Sequence, residues 1–211
     1  MSQRIAIVDY GMGNLRSVAK ALAHVAPEAR VEVTDDPTIV ARADRVVFPG
    51  QGAMPDCMRE LNASGMGDAV RASARSKPFL GLCIGLQMLF ERSAEGNTPG
   101  LGVLRGEVLG FSGGKDARGD RLKIPHMGWN EVWQSQPHPL WEGIADGARF
   151  YFVHSFYCVP REETLTAGST RYPDAFTSAI ERDNIFATQF HPEKSSVAGL
   201  TLLENFSRWN P

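Results

Sequence analysis

The chain has 211 residues, 43% of them hydrophobic and 22% charged, with a formal net charge of -2. That length suits one well-cored domain over residues 1–211, and the composition is that of an ordinary globular protein. The charge balance offers no basic face for nucleic acid and no polybasic patch for a membrane, and no apolar run approaches the roughly 18 residues of a bilayer span.

Met1-Ser2-Gln3-Arg4 leads directly into a strand-like run, so no signal peptide is expected. Cys57, Cys83 and Cys158 are odd in number and widely spaced, which fits reduced thiols and a cytoplasmic protein. Without a CxxC pair or an HExxH sequence, no metal site is expected.

In chain order, Arg4-Ile5-Ala6-Ile7-Val8 reads as a strand buried on both faces of a parallel sheet. Asp9 to Asn14 makes a tight turn, and the spacing of Leu15, Val18, Ala19 and Leu22 predicts a helix over 15–26. The arginine where a third fingerprint glycine would stand, Arg16, argues against a dinucleotide site at Gly11-Met12-Gly13, and no cofactor is expected. Val31 to Thr34 and Arg45 to Phe48 are further strands, the latter ended by Pro49-Gly50-Gln51-Gly52. Helices are expected from Met54 to Leu61 and from Met66 to Arg75, then a strand at Pro78 to Leu82. This alternation predicts an α/β fold with an open, mainly parallel core sheet and flanking helices.

The second half reads differently. Residues 106–111, 131–133, 150–157, 165–167, 175–180 and 185–190 are strand-like without long helices between them, and predict antiparallel extensions of the core sheet. Asp183-Asn184 marks a hairpin turn, and Val197 to Trp209 an amphipathic helix with Leu200, Leu203 and Phe206 on one face. The glycine-rich polar stretch 111–120 reads as a mobile surface loop without the spacing of a Walker phosphate loop.

The chemistry is expected around Gly81-Leu82-Cys83-Ile84-Gly85-Leu86-Gln87. A strand, an abrupt corner and a helix follow one another, with glycines two residues to either side of the cysteine. Glycine removes Cβ atoms that would crowd a strained nucleophile at such a corner. The following helix aims its amide dipoles at the sulfur. A buried structural cysteine in an α/β turn accounts for Cys83 equally well.

A cysteine nucleophile needs a base, and the base an orienting acceptor. His24 in the first helix and His138 between prolines are expected at the surface. His191, which ends an apolar strand, is the better candidate. Pro192 keeps it extended, so Glu193, two residues on, projects to the same side. An ordinary strand-end histidine also fits that tripeptide. Gly50, Gln51 and Gly52 lie where a parallel sheet places its ligand crevice, and their glycines let backbone N–H groups approach a substrate oxyanion.

Together and in this order, Gly81-x-Cys83-x-Gly85-x-Gln87, Phe190-His191-Pro192-Glu193 and Pro49-Gly50-Gln51-Gly52 resemble the class I (triad) glutamine amidotransferases, over essentially the whole chain. Three further segments resemble the branch of that family that serves L-histidine biosynthesis: Asp9 to Val18, Pro125-His126-Met127-Gly128-Trp129-Asn130, and Tyr151 to Tyr157. The resemblance implies that Cys83 is the nucleophile, His191 the general base and acid, and Glu193 its orienter. It implies that Gly52 and Gln87, with backbone of His154 and Ser155, hold the glutamine. Gly50, Gln51 and the amide of Ile84 serve the oxyanion, where Gln51 replaces the small apolar residue usual in such families.

The resemblance also implies that ammonia passes to a separate cyclase subunit built as a (β/α)8 barrel, forming a heterodimer. Asn14, Met127, Gly128 and Trp129 are expected near that docking face, although a core position accounts for Trp129 as well. Another class I branch, a cysteine peptidase or esterase on the same elbow, or a catalytically silent regulatory subunit remain alternatives at this point.

Overall fold

In a computed structural model, which describes residues 2–114, 119 and 121–211, strands and helices alternate through the first half of the chain. In order these are β1 (Arg4–Val8), α1 (Leu15–Val25), β2 (Arg30–Thr34), α2 (Pro37–Arg42), β3 (Arg45–Gly50), α3 (Met54–Ala63), α4 (Gly67–Ala74), β4 (Phe79–Cys83) and α5 (Ile84–Gln87). Short strands β5 (Arg92–Ser93) and β6 (Thr98–Pro99) follow, then β7 (Gly106–Gly110), β8 (His126–Gln134), β9 (Ala148–His154), β10 (Phe156–Pro160), β11 (Thr166–Arg171), β12 (Ala175–Arg182) and β13 (Ile185–Thr188). Helix α6 (Ser196–Arg208) closes the chain.

The core is parallel, with neighbours in the order β2-β1-β3-β4-β13. Beyond β13 the sheet turns antiparallel through β12, β10 and β7, while β11, β8 and β9 branch from β12. The period-2 pattern of the core strands divides their side chains between two apolar layers. Ile5, Ile7, Val47, Leu80 and Leu82 pack with α1 and α6. Ala6, Val8, Val46, Phe48 and Phe79 pack with α3 and α4. Both faces are covered, as parallel sheets require.

Helix α2 is absent from the periodicity reading because it is only six residues long. Its local signal is a cap: Asp36 precedes Pro37, and the Thr38 N–H donates to Asp36 Oδ1 at 2.7 Å. The run 150–157 divides into β9 and β10, because the chain exchanges its partner strand from β8 to β7 at Ser155, whose carbonyl accepts the Phe111 N–H. The two-residue Asp183-Asn184 turn joins β12 to β13, with Asp183 at φ 52°. In α6 the buried apolar side chains are Leu202, Leu203 and Phe206, and Leu200 is only half-buried.

His138 is also corrected. Its side chain is 5% exposed, tilted against Phe186 and edge-on to Trp209, and burial pushes its pKa down to about 4. His138 itself is extended, at φ -151° and ψ 143°, and its ring rather than the exposed prolines beside it is buried. Residues 115–118 and 120 of the glycine-rich stretch lie outside the described residues. Among the described residues no helix is long and apolar enough to cross a membrane.

Candidate active site

Strands β3, β4 and β13 run parallel, so their carboxyl ends open onto one edge of the sheet. Cys83 is the last residue of β4 and the cap of α5, at φ 54° and ψ -111°. A non-glycine residue there carries backbone strain of order 1–3 kcal/mol. The corner is this sharp because the chain passes very close to β3. A Cβ on Gly85 would drive into the Phe48 carbonyl oxygen, and one on Gly81 would meet the Ala187 methyl at 2.9 Å. The expected longer helix ends after one turn, its last amides tightening onto Leu86 and Gln87.

His191 leaves the end of β13 extended, at φ -102° and ψ 97°. Its Nδ1–H donates to Glu193 Oε1 at 2.9 Å, and the two side chains are 5% and 1% exposed. Asn14 Nδ2 donates to the same carboxylate oxygen at 3.3 Å. Asn14, expected near a docking face, therefore has its side chain on the carboxylate behind His191. The backbone is fixed from three sides: His191 N–H donates to the Tyr151 carbonyl, Ser195 Oγ–H to the His191 carbonyl, and Tyr151 N–H to Ser195 Oγ.

His191 Nε2 is buried and has no hydrogen-bond partner. Burial alone would lower the pKa of this ring. The negative charge of Cys83, and then of Glu193, outweighs that and raises it to about 10. A ring held cationic by a sulfur on one side and a carboxylate on the other is suited to carry a proton to and from a substrate beside Cys83.

A cleft of about 440 Å³ opens over these groups, lined by Gln51, Gly52, Cys83, Ile84, Gln87, Met127, Tyr151, His154, Ser155, His191 and Lys194 among others. The expected substrate-binding residues thus share one cavity with Cys83 and His191. Gly50 lies behind it, in register with Cys83, where a Cβ would come within 2.8 Å of both Ile84 Cβ and the Gly85 nitrogen. Gly52 stands at φ 103°, a conformation glycine adopts freely.

Gln87 is buried, and its Nε2 donates to the Phe156 carbonyl at 3.1 Å and to Gln189 Oε1 at 2.9 Å. Only its Oε1 lacks a partner, so what it presents is an acceptor. Gln189, in turn, places Nε2 3.8 Å from Cys83 Sγ. Sequence reading does not single out Gln189, though its place two residues before His191 in extended chain is the signal that could have found it.

His154 holds its place through its ring: Nδ1 lies 2.8 Å from the Phe156 carbonyl, and Nε2 2.8 Å from His126 Nδ1. A carbonyl only accepts, so His154 Nδ1 carries the proton, Nε2 accepts from His126, and His126 Nε2 accepts from Asn130 at 3.1 Å. Burial lowers both rings, His154 to about 3 and His126 to about 4, so the chain of bonds is neutral.

Met127, which lines the cleft, and Trp129, edge-on to Tyr151, lie on β8 and are 62% and 45% exposed, so Trp129 is not a core aromatic. Gly128 between them is at φ 131°. Among the described residues no group of three or more His, Cys, Asp or Glu side chains is placed to hold a metal ion.

The family model described as glutamine amidotransferase class-I matches residues 6–208. The chain is 63% identical over 209 residues to the imidazole glycerol phosphate synthase subunit HisH of Aromatoleum aromaticum, covering 98% of this chain and 99% of that protein. It is 61% identical to the protein of the same description from Thiobacillus denitrificans, covering 100% of this chain and 93% of the relative. A solved structure described as PurLQS from Thermotoga maritima superposes with a TM-score of 0.73 at 18% identity, over 99% of both chains, a likeness in fold.

Proposed function

The chain belongs to the glutamine amidotransferase class-I family, and we propose that it is the glutaminase subunit of an imidazole glycerol phosphate synthase, acting in the cytoplasm in L-histidine biosynthesis. The relatives at more than 60% identity support the assignment to that synthase. The single observation that carries the chemistry is the facing of Cys83, at its strained corner, and a His191 ring braced by Glu193, in one cleft.

Cys83 as thiolate attacks the side-chain carboxamide carbon of glutamine. The oxyanion of the tetrahedral adduct forms beside the Ile84 amide and the Gly50 to Gly52 backbone. His191, cationic at neutral pH, gives its proton to the departing nitrogen, and ammonia leaves. Water then attacks the γ-glutamyl thioester, His191 takes a proton from it as base, and glutamate is released. Glu193 keeps the ring in one tautomer and compensates its charge throughout. Gln87 and the backbone of His154 and Ser155 position the amino-acid end of the substrate.

Ammonia released to water at neutral pH becomes ammonium and loses its nucleophilicity. A synthetic use for it requires direct transfer to a second active site, here a (β/α)8-barrel cyclase subunit that forms imidazole glycerol phosphate and aminoimidazole carboxamide ribotide. Exposed Met127, which lines the cleft, and exposed Trp129, two residues further along β8, support a docking face there. The experiment is glutamate release with and without the cyclase subunit and its ribonucleotide. Strong stimulation by both is expected. Equal turnover by the isolated chain would contradict gating by the partner, and no turnover in either case would overturn the glutaminase reading.

A further inference from the structure

Gln189 has no part in the mechanism above, yet it is fully buried next to the nucleophile. Strands β4 and β13 run parallel with Thr188 opposite Leu82, so the residues that follow, Gln189 and Cys83, come side by side at the carboxyl edge. The Gln189 backbone is fixed there by its N–H, which donates to the Ser178 carbonyl of β12 at 2.8 Å. A buried side-chain amide needs partners at both ends. Here Oε1 lies 2.9 Å from Gln87 Nε2, and Nε2 lies 3.8 Å from Cys83 Sγ.

A side-chain amide can be turned over without changing its shape, so which end faces the sulfur follows from its partners. The Phe156 carbonyl settles it. A carbonyl only accepts, and this one takes the His154 Nδ1–H at 2.8 Å and the Gln87 Nε2–H at 3.1 Å. Gln87 therefore keeps its NH2 end on Phe156 and leaves its Oε1 unpartnered. The second hydrogen of that NH2 goes to Gln189, which must offer Oε1. Turned over, Gln189 would set two NH2 groups against each other. Its own NH2 end is thereby committed to Cys83, at a distance that the large radius of sulfur permits.

We infer that Gln189 sets the nucleophile and the substrate-binding amide together: its N–H donates to the Cys83 thiolate, and its carbonyl holds Gln87 with the acceptor free for glutamine. The inference rests on the glutaminase reading and adds to it a residue that does not line the cleft. A hydrogen bond to the charged form of a group favours that form, and donors bind anions more strongly than neutral acceptors. His191 attracts the sulfur by charge and moves its proton during the reaction. Gln189 carries no charge and has no proton to lose, so its grip persists through both halves. Tyr10, Cys57 and Cys158 also lie close enough to feel the charge of Cys83, but burial pushes all three up and keeps them protonated at neutral pH.

The test uses the chain assembled with its cyclase subunit and the variant Gln189→Met, which fills a similar volume without a donor. It follows alkylation of Cys83 by iodoacetamide against pH, read by mass spectrometry of the peptide that carries it, because only the thiolate reacts. The pH of half-maximal alkylation is expected to rise by about one unit, the scale of one hydrogen bond to a charged group. The acid limb of kcat/KM should move with it. KM for glutamine should rise several-fold, since the Gln87 amide is then free to turn.

An unmoved alkylation midpoint in folded Gln189→Met would overturn the inference, and so would a wild-type KM. A merely structural role predicts no change in that midpoint. If the variant does not fold, the wild-type complex labelled with [15N]glutamine keeps the test decisive. The Gln189 side-chain amide resonances are expected to shift over the same pH range as alkylation, and resonances that stay in place would overturn the inference. A wild-type complex that neither hydrolyses glutamine nor is alkylated at Cys83 would overturn the glutaminase reading as well; a competent wild type with an indifferent variant overturns the inference alone.

Discussion

Cys83 holds φ 54° and ψ -111°, in the region that glycine tolerates and other residues do not. Its neighbours leave no other path: Gly85 lies against the Phe48 carbonyl, and Gly50 is paired with Cys83 across the sheet. Cys83→Gly is therefore expected to unfold at higher urea concentration than Cys83→Ala, by about 1 kcal/mol, with both inactive on glutamine. Equal midpoints would mean that the corner is unstrained. His191 gives the corresponding electrostatic prediction. Its pKa of about 10 results from Cys83 and Glu193 prevailing over burial. Raised above the unfolded value of about 6.5, this ring contributes stability that is fully present below that pH and is lost as pH climbs through about 10. In Cys83→Ala the sulfur's share disappears, so the His191 titration followed by NMR should move to lower pH. A titration that stays in place would show that Glu193 alone sets the charge.

Among the elements, α6 does more than close the core. It packs against the turn that carries His191 and Glu193, and Gly199 lies so close that a Cβ would run into the Pro192 carbonyl oxygen. Gly199→Ala is expected to lower glutamine turnover at least tenfold by pushing the His-Pro-Glu turn toward the cleft. A crystal structure of the variant would show the turn displaced, and wild-type turnover with an unmoved turn would contradict this role. The same element shows what could be read from sequence. Apolar runs and helical spacing locate β1, β3, β4, α1 and α6, because these elements face the two core layers and their patterns record it. The glycines around Cys83 and the extended His191-Pro192-Glu193 likewise reveal the site, since backbone constraints leave a local trace. Other features leave none. The division at Ser155 depends on which strand pairs each side of it, the buried place of His138 on Phe186 and Trp209, and the grip of Tyr10 on Pro49 on a residue 39 positions away. These are long-range contacts, and a single sequence does not record them.

At the scale of the whole molecule, Cys83 and His191 are buried in the cleft while exposed Met127 lines it and exposed Trp129 stands two residues further along β8. Tryptophan at the centre of an interface commonly contributes about 2 kcal/mol or more. Trp129→Ala should therefore weaken binding of the cyclase subunit by roughly tenfold or more without lowering the melting temperature of the isolated chain, since the residue is half exposed there. Undiminished affinity would move the docking face elsewhere. The central claim is that Cys83 makes ammonia that the partner consumes, and the most direct measurement compares two nitrogen sources in the assembled complex carrying Cys83→Ala. The account predicts that formation of imidazole glycerol phosphate from glutamine is abolished while formation from added ammonia continues at the wild-type rate. Retention of the glutamine-dependent reaction by that variant would contradict it.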